Sequence, residues 1–112
     1  MKRSLCWVCA AIACGTVQAA GFFHDRDALE ELRLAYDSNN PKIKAAYFRG
    51  YVAGVADSGH GNAWCPAGKV SPERTYWLVS KYLKEHPAST ADQDAAEAVM
   101  TALGAAFPCP GR

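Results

Sequence analysis

The 112-residue chain has almost no excess of charge of either sign. Twelve Lys and Arg residues stand against eleven Asp and Glu, a formal net charge of +1. A protein that neutralises a phosphate backbone needs a basic patch or stripe, whereas here charges of both signs are interspersed. Nucleic acid is therefore not an expected partner.

Long hydrophobic runs are absent too. A membrane-spanning helix needs about 20 apolar residues, and the longest run extends only from Leu5 to Cys14. It follows two basic residues, Lys2 and Arg3, and precedes Val17-Gln18-Ala19, a small-residue cleavage site. These features predict no membrane span, a signal peptide over residues 1–19, and export of the mature chain to the periplasm.

Cysteine is scarce in the predicted mature domain, residues 20–112. Cys6, Cys9 and Cys14 fall in the leader, and Cys14 is the lipidated residue if the leader is instead a lipoprotein signal. Cys65 and Cys109 remain. An even pair in an exported chain favours one disulfide, which would be worth about 4 kcal/mol on the chain-entropy model. Two reduced structural thiols are the alternative.

Patterns that carry chemistry are missing. The three histidines, His24, His60 and His86, lack the spacing of metal ligands. Ser58-Gly59-His60 lacks the strand–turn–helix context of a nucleophile elbow, and both mature cysteines are assigned to the disulfide. We therefore expect no enzyme activity, no metal and no cofactor.

Alternating runs of β-branched residues are absent, so no strands are predicted. Four segments have helical periodicity instead. The first runs from about Arg26 to Asp37, and the second from Pro41 to near Asp57. The third opens at Ser71-Pro72-Glu73 and is closed by His86-Pro87, and the fourth is ended by Pro108. Helix caps are predicted at Asn40, at Ser71, and at either Ser89 or Thr90. The expectation is one all-α domain of four main helices stapled by one disulfide.

The second segment carries two patterns. Large apolar residues recur every fourth position and are predicted to be buried: Ile43, Tyr47, Tyr51 and Val55. Small residues form a stripe, Ala46, Gly50 and Gly54, although each glycine inside a helix costs about 1 kcal/mol relative to alanine. Close approach of another surface would offset that cost, and either a helix of the same domain or a partner chain would supply it.

Candidate recognition residues lie beyond this helix. Asp57, at its predicted end, is disfavoured by the helix dipole, so it either accepts N–H groups from the glycine-rich loop that follows or takes part in recognition. That loop supplies four further candidate contact residues: Ser58, His60, Asn62 and Trp64. Polar groups beside an aromatic ring are typical of interface hot spots. The alternative binding face is on the third helix, around Arg74, Trp77 and Lys81.

Three stretches resemble a known family in their order and spacing. They are GYVAGVAD at residues 50–57, WCPAGKVSPERTYWLVSKYLKEHP at 64–87, and AAEAVMTALGAAFPC at 95–109. Together they resemble the Rap/Tai immunity proteins, which protect type VI secreting bacteria against peptidoglycan amidase effectors. The resemblance covers about residues 43–109.

The resemblance implies a periplasmic, helical, often dimeric protein that occludes the active-site cleft of a cognate amidase effector without doing chemistry. It also supports the pairing of Cys65 with Cys109. Relatives often have a second cysteine pair between the first two helices, and here that region holds Leu34, Tyr36, Tyr47 and Phe48. The alternative function is a periplasmic helical binding or scaffold module that has no toxin partner.

Overall fold

The computed structural model of the protein describes residues 24–111. Within that range the chain forms four helices and no strand: α1 (Arg26–Ser38), α2 (Lys42–Gly59), α3 (Pro72–Glu85) and α4 (Ala95–Ala106). The predicted all-α class and the four helices are confirmed. The predicted signal peptide and the possible lipidation site, Cys14, lie outside the described residues.

Three helices begin at a residue whose side chain accepts a hydrogen bond from the first turn: Asp25, Ser71 and Asp94. The predicted Ser71 cap is confirmed. The predicted Asn40 cap is wrong, because Pro41 occupies the cap position of α2 and no side chain caps that end. The caps proposed for the fourth helix are wrong as well. Thr90 lies in a turn before α4, where it is buried. Its hydroxyl accepts a hydrogen bond from Arg26 Nε at 3.2 Å.

Helix α2 is central and contacts each of the other three helices. Its buried side chains are those of Ala45, Phe48, Val52 and Ala56. The predicted buried face is wrong, since Ile43 is 80% exposed, Tyr47 is 52% exposed, and Tyr51 and Val55 are half-buried. A four-residue repeat drifts by about 40° per step around a helix of 3.6 residues per turn. Contact with the other three helices decides which side of α2 faces inward.

All four helices contribute to one hydrophobic core. Its larger members are Leu29 and Leu32 of α1, Phe48 and Val52 of α2, Val79 and Leu83 of α3, Val99 and Leu103 of α4, and Trp64 of the α2–α3 connection. Buried alanines line the inner side of α4, namely Ala95, Ala98 and Ala102. These small side chains allow α4 to approach its neighbours closely.

A polar network joins α1 to α3 at the edge of this core. Arg33 is only 5% exposed, and its guanidinium donates to Glu30 (Nε to Oε2, 2.9 Å) and to Asp37 (Nη1 to Oδ2, 2.8 Å). Asp37 also accepts a hydrogen bond from the Ser80 hydroxyl at 2.5 Å. The buried arginine therefore keeps charged partners on both sides, and Asp37 links the two helices.

The network predicts a loss of stability in acid. The guanidinium of Arg33 holds the pKa of Glu30 below its ordinary value, through its hydrogen bond and through its charge. Partial burial of the carboxyl acts in the opposite direction. A carboxyl whose pKa is lowered by folding stabilises the fold at pH values above its ordinary pKa, which is near 4.5 for Glu30. That stabilisation is lost as the pH falls below 4.5. The thermal midpoint of the parent protein should therefore fall more steeply between about pH 5 and pH 2 than that of Glu30→Gln, as measured by circular dichroism. Parallel curves for the two proteins would contradict this role.

Candidate functional site

A groove of about 470 Å³ opens between the last turns of α2, the α2–α3 connection and the start of α3. We call it the α2–α3 groove. Trp64 and Val70 form part of its apolar lining, and three polar side chains are exposed along it: Asp57, His60 and Lys69. An apolar depression with a few converging polar groups has the composition typical of a binding site.

The segment that follows α2 is a tight turn. The helix continues through Gly59, whose carbonyl accepts hydrogen bonds from the N–H groups of Asn62 at 3.0 Å and Ala63 at 2.7 Å. Gly61 has a φ of +79°, which favours glycine, and it donates to the Trp64 carbonyl at 2.8 Å. The helix therefore runs two residues beyond its predicted end at Asp57, and the predicted glycine-rich loop is a tight turn that begins at His60.

Trp64 is a core residue. It is 5% exposed, its indole Nε1 donates to the Ala56 carbonyl at 2.8 Å, and its ring centroid lies 5.7 Å from that of Phe107. The His60 ring meets it edge-on at 5.3 Å. The expectation that Trp64 is presented to a partner as an exposed hot spot is wrong, because the ring holds the connection against α2 and the end of α4.

The predicted disulfide between Cys65 and Cys109 is confirmed, with a Cα–Cα distance of 4.8 Å. Cys65 also donates its N–H to the Phe107 carbonyl at 2.8 Å. A Cβ at Gly104 would lie 3.0 Å from the Ala63 carbonyl oxygen, so the connection approaches α4 so closely that a side chain there would push the backbone away slightly. The α2–α3 connection beside the groove is thus anchored covalently and by close packing.

The predicted contact residues separate into two groups. Asp57 and His60 line the groove, whereas Ser58 and Asn62 are exposed outside it. Asp57 does not end the helix, and the expectation that it accepts N–H groups of the loop is wrong, because these groups bond to Gly59. The Ser58 hydroxyl donates to the Val55 carbonyl at 3.1 Å. Contact of Ser58 or Asn62 with a partner stays a prediction.

Sequence reasoning missed most of the groove's other lining residues, among them Lys69 and Val70 of the α2–α3 connection and Tyr76 of α3. For Lys69 and Val70 a signal exists in the chain. The stretch between Cys65 and the Ser71 cap is short, and both of its ends are held in place. It must therefore stay beside the end of α2, and its side chains are available to the same groove.

The alternative face on α3 also has a groove, of about 620 Å³, lined by Tyr36, Trp77 and Lys84 among others. Trp77 is 50% exposed, and the Lys81 ammonium lies 5.8 Å from its ring centroid. Lys81 also forms an ion pair with Glu85 at 2.9 Å. This face is open to a partner too, and Arg74 is exposed near its start.

The small-residue stripe of α2 is exposed. Ala46, Gly50 and Gly54 are exposed, and a Cβ added at either glycine would meet nothing of residues 24–111 within 4 Å. The expectation that the stripe packs against a helix of the same domain is wrong. Contact with a partner chain stays as the alternative.

The described part of the chain has no group of three or more His, Cys, Asp or Glu side chains placed to hold a metal ion. None of the helices within residues 24–111 is long and apolar enough to cross a membrane.

A family model described as Rap1a immunity proteins matches residues 15–109 of the chain. The match includes the α2–α3 groove, the exposed face of α2 and both cysteines of the disulfide. No protein of curated function matches the chain significantly.

Proposed function

The chain belongs to the Rap1a immunity protein family, and on that basis we propose that it binds a type VI secreted peptidoglycan amidase and occludes its active-site cleft. Membership implies that the chain binds a cognate effector. The amidase chemistry of that effector, the blocked cleft, and export to the periplasm by a signal peptide cleaved after Ala19 are parts of the proposal.

The observation that carries the proposal is the α2–α3 groove and its rigid support. Its polar rim, Asp57, His60 and Lys69, is exposed, while the adjoining turn is held by the disulfide and by the Trp64 indole. A surface that is already ordered loses little conformational entropy on binding. An amidase cleft contains hydrogen-bonding groups that must be satisfied when water is displaced, and the rim offers both donors and an acceptor.

A pair of matched double variants tests which groove meets the effector. His60→Ala with Lys69→Ala removes two exposed polar groups from the α2–α3 groove and should weaken effector binding by about 1–3 kcal/mol if these are hot-spot contacts. Trp77→Ala with Lys84→Ala makes an equivalent change in the α3 groove and should leave affinity unchanged. Calorimetric titration with the amidase encoded beside the gene measures both, and circular dichroism checks folding.

If the Trp77→Ala, Lys84→Ala double variant instead loses more affinity for the effector than the other, the effector binds at the α3 groove. No binding of the parent protein to a neighbouring amidase would remove the amidase proposal. It would favour the helical scaffold alternative.

We also propose a homodimer. The support is the outward face of α2, where Ile43 is 80% exposed and Tyr47 is 52% exposed. Large apolar side chains that stay largely exposed among residues 24–111 are suited to contact with another chain. Sedimentation velocity over a concentration series tests the assembly directly.

A further inference from the structure

Asp57 lies where its helix makes a carboxylate unfavourable. It is in the last turn of α2, which ends at Gly59, and the dipole of a helix disfavours a negative charge there. The carboxylate is exposed, the N–H groups of the following turn bond to Gly59, and no side chain within residues 24–111 pairs with it. A cation supplied from outside the fold would offset this unfavourable position.

The same groove carries an unpaired charge of the opposite sign. Lys69 lines it from the α2–α3 connection, is exposed, and forms no hydrogen bond or ion pair with any other residue of the described range. Asp57 and Lys69 are therefore too far apart to pair with each other, although they share one groove. Its charge is negative on the side of α2 and positive on the side of the connection. A partner of matching polarity would gain a charge contact on each side.

The rest of the lining is largely apolar. Val70 and Tyr76 pack against the hydrophobic core but stay partly exposed, and Pro66 lines the groove as well. The groove holds about 470 Å³, a volume typical of small binding sites. Because this surface is concave, it cannot enter the cleft of an enzyme. A partner that meets it must supply the protruding part.

We propose that the α2–α3 groove receives a protruding segment of the cognate effector, in which an apolar side chain is flanked by a basic and an acidic one. The apolar side chain covers Val70 and Tyr76, the basic group reaches Asp57, and the acidic group reaches Lys69. The inference rests on the proposed function and names the chemistry of the effector surface that this site selects. The segment belongs to the lip of the amidase cleft, so the surface around the groove closes the cleft.

The order of the two charges discriminates between effectors. A segment with the opposite order would place like charges together at both Asp57 and Lys69, which costs more than the loss of a favourable pair. Contact with Val70 and Tyr76 is the same for both orders. The two charged residues therefore determine specificity, whereas the apolar lining contributes affinity that either segment would gain.

Charge reversal on the two sides of the groove tests this order. Asp57→Lys and Lys69→Glu should each weaken binding to the amidase encoded beside the gene by about 5- to 30-fold, because a favourable pair becomes a like-charge contact. The double variant with both changes keeps the net charge of the parent protein but reverses the order of the charges. It should bind more weakly than either single variant. Calorimetric titration at low salt measures the three affinities.

The double variant Asp92→Lys with Lys84→Glu is the matched control. It makes the same two charge reversals at exposed residues that do not line the α2–α3 groove. It should bind the amidase as tightly as the parent protein does. Circular dichroism checks that each variant is folded.

Two results would overturn the inference and leave the proposed function in place. Parental affinity in the Asp57→Lys, Lys69→Glu double variant would show that only net charge matters. Parental affinity in both single variants would show that no charged group of the effector reaches the groove. A parent protein that does not bind the amidase would instead remove the proposed function, and this inference with it.

Discussion

Cys109→Ser should lower the thermal unfolding midpoint by about 15–30 °C under oxidising conditions. The bridge joins residues 44 positions apart and spans all of α3 and α4. On the chain-entropy model such a cross-link contributes about 4 kcal/mol by restricting the unfolded chain, and each kcal/mol corresponds to about 4–8 °C in a domain of this size. Circular dichroism melts with and without reductant measure the effect.

Reduction of the disulfide and removal of its other cysteine are the two controls. Reduction of the parent protein should bring its midpoint to that of the variant, and Cys65→Ser should behave like Cys109→Ser. Adding reductant to either variant should change nothing further. Two free thiols in the native exported protein, or a midpoint that reductant leaves unchanged, would contradict the assigned role.

Trp64→Ala should destabilise the fold by about 3–5 kcal/mol, the usual cost of removing a buried aromatic ring. The variant loses the packing of the ring against Phe107 and the hydrogen bond from Nε1 to the Ala56 carbonyl. Because Trp64 holds the wall of the α2–α3 groove, we expect weaker effector binding as well. Denaturant titration measures the free energy of unfolding.

Trp77→Ala is the matched control, since Trp77 is the same residue type at 50% exposure against 5% for Trp64. It should cost less than about 1 kcal/mol, because the contact it loses is an exposed one with Lys81. Trp64→Phe keeps most of the ring and removes the indole hydrogen bond, so it separates the two contributions. Equal destabilisation by Trp64→Ala and Trp77→Ala would show that Trp64 is not part of the core.

Signals from neighbouring residues were sufficient to predict the start of α3 and the disulfide. Ser71 followed by Pro72 begins α3 as predicted, because a hydroxyl that accepts an N–H of the first turn and a proline suited to that turn act within a few residues. The disulfide was predicted from the export signal and the even number of cysteines left after it. The first inference depends on neighbouring residues and the second on the compartment to which the chain is exported. Neither requires knowledge of how the helices pack.

Local signals failed where distant segments compete for the same surface. For α2 they favoured the large residues of the Ile43 repeat, whereas contact with three helices turned Phe48 and Val52 inward. For Trp64 they indicated an exposed loop residue, whereas the indole is covered by Phe107, which lies far away in sequence at the end of α4. The same is true of Lys69, which joins Asp57 and His60 along the groove once the connection folds back over α2.

Helical periodicity, prolines and the Ser71 cap were therefore enough to establish the all-α class and approximate bounds for the four helices, and the cysteine count was enough to establish the disulfide pair. Each is a property of neighbouring residues or of composition. The inward side of α2, the burial of Trp64 and the makeup of the groove were settled by packing between helices. Apolar burial and close contact depend on which surfaces meet, and residues distant in sequence supply those surfaces.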